Sequence, residues 1–575
     1  MPVHNEDIAL IFDEMADLLE IEEANPFRVR AYRNAARTIR GLGHELAEML
    51  AAGEDLTRLP GIGKDLAAKI EEILATGHAK ALDKLHKEVP ASLEALLKIP
   101  GLGPKRVKLL YKELNIKTLK QLESAARGGK LSALPGFGAK TEQRILEAIG
   151  AHRSLEKRFL RNVARQYAEP LVQYLQAVAG VDNVVVAGSY RRGKETVGDL
   201  DILVTTKAES PVLQQFVNYD EVVGVAAKGT TRSTVFLRNG LQVDLRVVEQ
   251  QSFGAALHYF TGSKAHNIQV RRLGQQRGLK INEYGVFKGE QSIAGKTEES
   301  VFRAVGLPFI PPELREGRGE IEAARAKQLP DLITQQDLQG DLHTHTRATD
   351  GKASIAEMAQ AAKQRGLKYL AITDHSQHLT VVHGLDRKRL QKQLEEIDKL
   401  NSKLSGITIL KGIEVDILED GSLDLPDNIL SQLDLVIGAV HSQFRLSRSK
   451  QTTRILRAMD SRYFSILAHP SGRLLNEREP CELDMPRIIE AARERGCYLE
   501  LNSQPQRLDL FDNYCQLAKE QGVLISINSD SHSTNGFELL EGGINQARRG
   551  WLEKQDVLNT RSLAQLRKLL KTTMG

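Results

Sequence analysis

The stretch GSYRRGKETVGDLDILVTT, residues 188–206, decides how the first half of this chain folds. It opens with a glycine-serine turn and ends in an apolar, β-branched run that predicts a strand. Because side chains alternate between the two faces of a strand, Asp199 and Asp201 project to the same side. The run QVDLRVV, residues 242–248, predicts a neighbouring strand that brings a third carboxylate, Asp244, to this side.

Three carboxylates in such a cluster repel one another unless divalent cations lie between them. Two Mg²⁺ or Mn²⁺ ions held there would lower the pKa of an attacking hydroxyl and stabilise a pyrophosphate leaving group. Gly188, Ser189 and Arg192 would hold a triphosphate. A D-x-D sequence alone is commonly a solvated strand edge, so it is the preceding turn that favours nucleotidyl transfer. Non-templated transferases share this pattern.

Length and composition indicate a multidomain globular protein. The chain has 575 residues, of which 41% are hydrophobic and 27% charged, with a formal net charge of +5. Its N-terminus lacks the basic start and apolar run of a secretory signal, and no apolar stretch reaches the roughly 18 residues of a membrane span. We therefore expect a cytoplasmic protein.

A short unit occurs three times in the first 150 residues, which have helical periodicity throughout: LPGIGK at 59–64, IPGLGP at 99–104 and LPGFGA at 134–139. Each unit places two glycines before a helix, where one glycine can take a positive φ and the helix amides can bind a phosphate. A single copy is equally consistent with a plain helix–helix turn, whereas three copies favour sequence-independent DNA binding. The glycines concerned are Gly61, Gly63, Gly101, Gly103, Gly136 and Gly138.

Beyond residue 340, short apolar strands alternate regularly with helices, which predicts a parallel sheet closed into a barrel. Histidines and carboxylates follow the predicted strands, and the carboxyl ends of barrel strands meet on one rim. Such mixed ligands suit Zn²⁺ or Mn²⁺ and can activate water. Arg473 is predicted to be either a DNA contact or an ordinary surface residue. The nine candidate ligands are His343, His345, Asp350, His375, Glu414, His441, His469, Asp530 and His532.

The glycine hairpins, the G-S turn and the three aspartates resemble family X DNA polymerases such as DNA polymerase beta. By this resemblance, Lys69 takes the place of the Schiff-base lysine of a lyase domain, and Tyr32 also matches a DNA-binding position. Asp65 departs from the pattern, because the lyase form has a basic residue there that helps to hold the 5′-phosphate. Lys69 therefore remains either a catalytic or a solvated lysine.

A second stretch resembles the thumb and nucleotide-binding segment of the same family over about fifty residues. The resemblance implies that Tyr259, Phe260 and Gly262 lie against the sugar and select deoxynucleotides. It also implies that Asn267 contacts the incoming base and that Arg271 contacts the template.

Nearly all of residues 338–575 resemble the PHP (polymerase and histidinol phosphatase) domain, with every ligand position kept. A purely structural PHP domain is the alternative that those nine positions disfavour. The resemblance implies an Mn²⁺-dependent 3′→5′ exonuclease centre holding up to three Mn²⁺ or Zn²⁺ ions, and extends to cleavage at abasic sites.

The predicted architecture has an all-α helix-hairpin-helix region, an α+β nucleotidyltransferase palm and thumb, and a C-terminal α/β PHP barrel of the distorted (β/α)7 kind. We expect a lyase-like helical domain at 1–90, a fingers domain at 91–150, the palm at 151–255, the thumb at 256–315, a linker at 316–337 and the barrel at 338–575.

The expected function is gap filling in base excision repair by a monomeric, nucleoid-associated polymerase. Its partners would be dNTPs and gapped or nicked DNA with a 5′-phosphate. One alternative is a phosphatase of small phosphomonoesters with a DNA-binding attachment, and another is a non-enzymatic DNA-binding scaffold. The intact acidic triad and the nine ligands argue against the scaffold.

Overall fold

A computed structural model describes residues 3–22, 24–42, 45–88, 93–97, 99, 102–138, 141–146, 158–207 and 210–574. The chain forms two compact units, Met1–Arg158 and Phe159–Gly575. Gly101 lies outside the described residues, as do the predicted domain boundaries at 90/91 and 150/151.

The first unit is helical, as its periodicity predicts. One cluster of buried side chains, which includes Ile8, Phe12, Ile70 and Ile145, runs through it. Its helices are Asn5–Ile21, Pro26–Gly41, Leu46–Ala51, Lys64–Thr76, Lys80–Glu88, Glu94–Leu97, Pro104–Leu114 and Leu119–Arg127.

The glycine units form tight turns between these helices. Gly61 and Gly136 take φ values of 74° and 79°, a left-handed conformation that other residues rarely adopt. Gly63 and Gly103 are the N-cap residues of helices Lys64–Thr76 and Pro104–Leu114. In the first hairpin, Gly61 therefore makes the turn and Gly63 opens a helix.

The second unit begins with a five-stranded sheet in the order β2-β4-β7-β6-β5. Parallel pairing of β4 with β7 sets the central register, and a separate short pair, β1 and β3, lies beside the sheet. Helices Arg161–Gln176, Gly188–Arg191 and Val212–Val217 accompany these strands. The strands are β1 Phe159–Leu160, β2 Val181–Val186, β3 Thr196–Val197, β4 Asp199–Thr206, β5 Val222–Lys228, β6 Arg232–Leu237 and β7 Gln242–Val247.

The thumb region packs four helices against a small antiparallel sheet. The segment 316–337, predicted as a linker, contains one of these helices, and its Ile321 and Ala324 lie in the same apolar core as Phe302. The elements are helices Phe253–Thr261, Lys264–Gln276, Glu298–Ala304 and Glu320–Arg325, with strands β8 Lys280–Asn282, β9 Gly285–Lys288 and β10 Gln291–Ala294.

Seven parallel strands in sequence order form the C-terminal barrel, which confirms the predicted fold class. A bridge between Thr344 and Ser531 brings the first and last strands together. The strands are β11 Gly340–Asp341, β12 Tyr369–Ile372, β13 Thr408–Asp416, β14 Leu435–Ala439, β15 Ile466–Leu467, β16 Tyr498–Asn502 and β17 Ile525–Asn528. Helices Ile355–Gln364, Arg387–Asn401, Asp427–Leu430, Arg448–Met459, Met485–Arg495, Asp512–Glu520, Leu540–Arg549 and Leu563–Leu570 follow or connect them.

Among the described helices, none combines the length and the apolar character that a membrane crossing requires.

Candidate active sites

The three palm aspartates lie on adjacent strands. Asp201 of β4 is the register partner of Asp244 of β7, and Asp199 projects from the same face of β4. Burial, together with the neighbouring charges of Asp199 and Asp244, raises the pKa of Asp201 to about 7. Three carboxylates placed this close together are suited to divalent cations.

Asp244 is held by donors from its own sheet. Its Oδ1 accepts hydrogen bonds from Thr234 Oγ1 at 2.5 Å and Arg232 Nη2 at 2.8 Å, and its Oδ2 accepts one from Gln242 Nε2 at 2.9 Å. Burial opposes ionisation, but these bonds outweigh it and lower the pKa of Asp244. The two register partners therefore differ in proton affinity.

The glycine-serine turn lies directly against this cluster. Gly188 has a φ of 64°, and a β carbon there would be 2.6 Å from Oδ2 of Asp201. The backbone N–H of Ala187 donates to the Asp201 carbonyl at 2.7 Å, which fixes the turn beside β4. A side chain at position 188 would therefore displace a cluster carboxylate.

Two consecutive arginines tie the turn to the thumb. Arg191 contacts Glu298 through Nη2 at 2.7 Å, and Glu298 also pairs with the fully buried Arg315. Arg192 donates from Nε to Glu316 at 2.9 Å and from Nη1 to the Thr261 carbonyl at 2.8 Å. The predicted triphosphate ligand Arg192 is thus tied to the thumb by two hydrogen bonds.

The predicted sugar and base contacts lie at the start of the thumb. Tyr259 and Phe260 meet edge-on with ring centroids 5.0 Å apart, and Arg271 lies over the Tyr259 ring at 5.0 Å. Asn267 donates to the Tyr259 and Gly262 carbonyls at 2.7 and 3.2 Å. These residues form one group, as the resemblance implies.

In the helical unit, Lys69 Nζ lies 2.5 Å from Asp65 Oδ1, one helical turn away. Tyr32 differs from its predicted role as a DNA contact. It is 2% exposed and packs edge-on against Phe12, because its helix turns this face toward the core.

The structure brings all nine predicted barrel ligands to one pocket at the carboxyl ends of the strands. Among the described residues, the candidate ligand atoms of the barrel form three overlapping groups. In each group, the ligand atoms lie within 4.8 Å of one another, and the palm aspartates form no group this tight among the described residues. His469 joins the third group through Glu414. The groups are His345, Asp350, His375 and His532; His343, His345 and Asp530; and His375, Glu414 and His441.

Carboxylates link the three groups. Glu414 Oε1 lies 3.1 Å from His469 Nε2 and 3.3 Å from His441 Nε2. Asp350 Oδ2 lies 3.3 Å from Nε2 of both His375 and His532. Burial opposes the ionised form of Glu414, but His375, His441 and His343 outweigh it and hold its pKa well below the usual range.

Ring nitrogens of the pocket fit metal coordination. Within the described part of the chain, His343 Nε2, both nitrogens of His345 and His469 Nδ1 are buried and complete no hydrogen bond, although His345 Nε2 lies 3.1 Å from Asp530 Oδ1 and His343 Nε2 lies 3.5 Å from Glu414 Oε2. Unpaired buried nitrogens are costly unless a ligand satisfies them. The donor set, imidazole with carboxylate, suits Mn²⁺ or Zn²⁺.

Backbone strain occurs at two of these residues. His469 and Asp530 have φ values of 28° and 51°, in the left-handed region that non-glycine residues seldom occupy. Such strain persists where the surrounding structure enforces a functional position.

Buried acids behind the pocket were missed by the sequence analysis. Glu500 Oε1 lies 2.7 Å from His343 Nδ1, and Asp416 Oδ1 lies 2.9 Å from His441 Nδ1. Both carboxylates belong to strands, β16 and β13, whose remaining residues are mostly apolar. A polar residue inside an apolar strand was the available signal.

Arg473 is neither a surface residue nor a DNA contact. It is 3% exposed, donates from Nε to the Arg507 carbonyl at 2.7 Å and pairs with Glu195 at 2.9 Å. Its guanidinium covers the Phe511 ring at 3.8 Å.

Family models match almost the whole chain. A helix-hairpin-helix domain matches residues 3–79, and a SAM-like helix-hairpin-helix tandem matches 93–151. The DNA polymerase beta palm matches 158–273, the DNA polymerase beta thumb 256–316, and the PHP domain 341–529.

Three similar proteins span these parts. The DNA polymerase/3′-5′ exonuclease PolX of Bacillus subtilis (strain 168) is 39% identical over 573 residues, covering 99% of this chain and all of that protein. DNA polymerase lambda of Rattus norvegicus is 27% identical over 336 residues, covering 52% of this chain and 56% of that protein. A protein named "Probable phosphatase" from Thermoanaerobacter sp. (strain X514) is 31% identical over 231 residues, covering 38% of this chain and 89% of that protein.

Proposed function

The chain belongs to the family X DNA polymerases that carry a PHP domain, and from this we propose that it fills short gaps in DNA during base excision repair while its barrel removes nucleotides from 3′ ends. The observation that carries the polymerase function is that Asp201 and Asp244 are register partners on adjacent strands, beside the Gly188 turn.

Asp199, Asp201 and Asp244 would hold the Mg²⁺ or Mn²⁺ ions of the polymerase site. When bound, such ions lower the pKa of a primer 3′-hydroxyl and stabilise the pyrophosphate that leaves. The turn beside Gly188 brings the triphosphate to these carboxylates, with Ser189 and Arg192 as its contacts. The described geometry supports these roles, since the Gly188 turn lies directly against the Asp201 carboxylate.

The thumb side chains would select the nucleotide. Tyr259, Phe260 and Gly262 would lie against the sugar and exclude a 2′-hydroxyl, so deoxynucleotides would be preferred. Asn267 would contact the incoming base, and Arg271 would contact the template. Support comes from their placement as one group, at the end of the helix Phe253–Thr261 and in the helix Lys264–Gln276 that follows it.

The hairpins would bind the DNA backbone on gapped or nicked duplex that carries a 5′-phosphate. Helix-opening glycines such as Gly63 and Gly103 leave backbone N–H groups for phosphate oxygens. Lys69 would be the nucleophile if this region also opens abasic sugars. We propose that the chain acts as a monomer, with the domains bounded as in the sequence analysis except that the helix Glu320–Arg325 belongs to the thumb.

The barrel would hold up to three Mn²⁺ or Zn²⁺ ions with its nine histidines and carboxylates. When bound, such ions would supply hydroxide from water for attack on a phosphodiester, and the barrel would then have 3′→5′ exonuclease activity and would cleave at abasic sites. Support comes from the buried nitrogens of His343 and His345, which face the carboxylates of Glu414 and Asp530 without completing a hydrogen bond. Glu500 and Asp416 would orient His343 and His441 through their second nitrogens.

A second candidate function, hydrolysis of small phosphomonoesters, is favoured by the similarity between the barrel and a protein named as a phosphatase. The two functions differ in substrate. Release of phosphate from a phosphorylated metabolite, with no change in primed DNA, would support the phosphatase.

The test uses the full-length chain on a duplex with a short gap, a 5′-phosphate and a labelled primer. With dNTPs and Mg²⁺ we expect extension to the gap end, and with Mn²⁺ and no dNTPs we expect shortening from the 3′ end. Asp220→Ala and His378→Ala, both at exposed positions, serve as controls with unchanged activity. A wild-type chain that neither extends nor shortens the primer would refute the proposal.

A further inference from the structure

The barrel domain directly contacts the turn that would bind the triphosphate. Asn545, on helix Leu540–Arg549, lies so close to Gly193 that a β carbon there would be 3.5 Å from Asn545 Cβ. Arg549, at the end of the same helix, is 4% exposed. The contact joins distant parts of the sequence, since Arg549 and Arg192 are 357 positions apart.

Arg549 makes three bonds at this junction. Its Nη1 donates to the Arg192 carbonyl at 3.1 Å and to Glu316 Oε1 at 2.8 Å, while its Nη2 donates to Asp512 Oδ2 at 2.6 Å. One guanidinium from the barrel therefore holds both the backbone of the turn and the carboxylate that pairs with the Arg192 side chain.

Glu316 is shared by two arginines. The same oxygen, Oε1, accepts from Arg192 Nε at 2.9 Å and from Arg549 Nη1 at 2.8 Å. A triphosphate must compete with Glu316 for the Arg192 guanidinium. Arg549 brings a second positive charge to Glu316 and so weakens the attraction between Glu316 and Arg192. Arg549 therefore makes the Arg192 guanidinium more available to the triphosphate.

A second barrel arginine holds the other side of the turn. Arg473, which follows the candidate ligand His469, pairs with Glu195 at 2.9 Å. Its other bonds go to barrel carbonyls, so it is fixed within the barrel. The segment from Gly188 to Glu195 is thus held at two points by arginines of the barrel domain.

We propose that Arg549 of the barrel domain is a positioning residue for nucleotide binding in the palm, acting through Glu316 and the Arg192 carbonyl. This inference rests on the proposed polymerase function. It makes the barrel part of the polymerase site, independently of any ion that the barrel holds.

The test compares steady-state dNTP incorporation by the full-length chain and its Arg549→Ala variant on gapped DNA. We expect the KM for dNTP to rise about tenfold, as loss of a charged hydrogen bond implies, with kcat changed less than about twofold. Arg549→Lys should recover part of the loss, because a single ammonium can still reach Glu316. Adding Glu316→Gln to Arg549→Ala should reverse most of the increase, because it removes the competing charge.

Arg548→Ala is the matched control. Arg548 lies on the same helix and in the same interface but pairs with Glu313 at 2.7 Å, away from the turn, so its loss should leave the KM unchanged. Exonuclease activity of each variant reports that the barrel is folded. An unchanged KM in Arg549→Ala, an equal increase in Arg548→Ala, or no recovery with Glu316→Gln would overturn the inference. Failure of the wild type to extend the primer would instead refute the proposed function.

Discussion

Asp201 on β4 stands opposite Asp244 on β7, and the Asp244 carboxylate accepts hydrogen bonds from Thr234, Arg232 and Gln242 of the sheet. The neighbouring carboxylates and burial leave Asp201 with a pKa of about 7, while that of Asp244 is lowered. This difference between register partners makes the proton occupancy of the metal-free palm depend on pH near neutrality.

The first prediction concerns stability against pH. An aspartate in an unfolded chain has a pKa of about 3.9, so the metal-free folded protein binds the Asp201 proton more tightly. The contribution of Asp201 to stability is therefore greatest at low pH and is lost as the pH rises from about 4 to about 7. Relative to Asp201→Asn, wild type should lose stability over this range, by at most about 4 kcal/mol.

The measurement is the melting temperature of both proteins in EDTA at about pH 5 and about pH 8. Mg²⁺ should stabilise wild type more at the higher pH and should have little effect on the variant. A difference in melting temperature that does not change with pH would contradict the assignment of Asp201.

The second prediction concerns the turn beside the carboxylates. Gly188→Ala should lower primer extension at least about 100-fold, because position 188 has a left-handed φ that alanine disfavours and the added methyl group would displace Asp201. Gly224→Ala is the control, because a β carbon there lies 3.9 Å from its nearest neighbour. Single-turnover extension measures the effect, and full activity of Gly188→Ala would show that the turn does not approach the reacting groups.

The third prediction concerns the acid behind the barrel pocket. Glu500→Gln replaces the carboxylate that contacts His343 Nδ1 with a neutral amide. The affinity of the barrel for Mn²⁺ should therefore fall about 10- to 100-fold. Exonuclease activity should be lost at limiting Mn²⁺ and return at high Mn²⁺. Primer extension by the palm should stay normal in both conditions. Metal content after dialysis gives an independent reading, with the exposed Glu419→Gln as control. Equal Mn²⁺ binding by Glu500→Gln and wild type would exclude the positioning role.

The fourth prediction concerns Lys69. A Schiff base requires Lys69 Nζ to reach the sugar, whereas the ion pair with Asp65 Oδ1 at 2.5 Å holds this nitrogen against its own helix. Borohydride trapping on a deoxyribose-phosphate end should therefore yield about tenfold more adduct with Asp65→Asn than with wild type, and none with Lys69→Ala. Adduct that persists in Lys69→Ala would assign the nucleophile to another residue.

The sequence predicted those parts of the fold and site that local patterns determine. The nine barrel residues each follow or lie in an apolar strand, so their convergence follows from barrel geometry. The roles of Gly61 and Gly136 follow from the demand of a tight turn for positive φ.

Long-range pairing explains what the sequence analysis did not predict. Glu500 lies 157 positions from His343, and Glu316 lies 233 positions from Arg549, so no local pattern links them. Arg473 was interpreted as an exposed charge because nothing nearby in sequence indicates the carbonyls and the Phe511 ring that bury it. The segment 316–337 was interpreted as a linker from its polar composition, although Ile321 and Ala324 form an apolar stripe one turn apart.

The central claim is that two separate ion-binding clusters act on the same primer end in opposite directions. The most direct measurement follows a 5′-labelled primer on gapped DNA with dNTPs and Mn²⁺, using Asp199→Ala, His345→Ala and the double variant. We predict that Asp199→Ala only shortens the primer, that His345→Ala only lengthens it, and that the double variant leaves it unchanged. Extension by Asp199→Ala or shortening by His345→Ala at the wild-type rate would contradict the account.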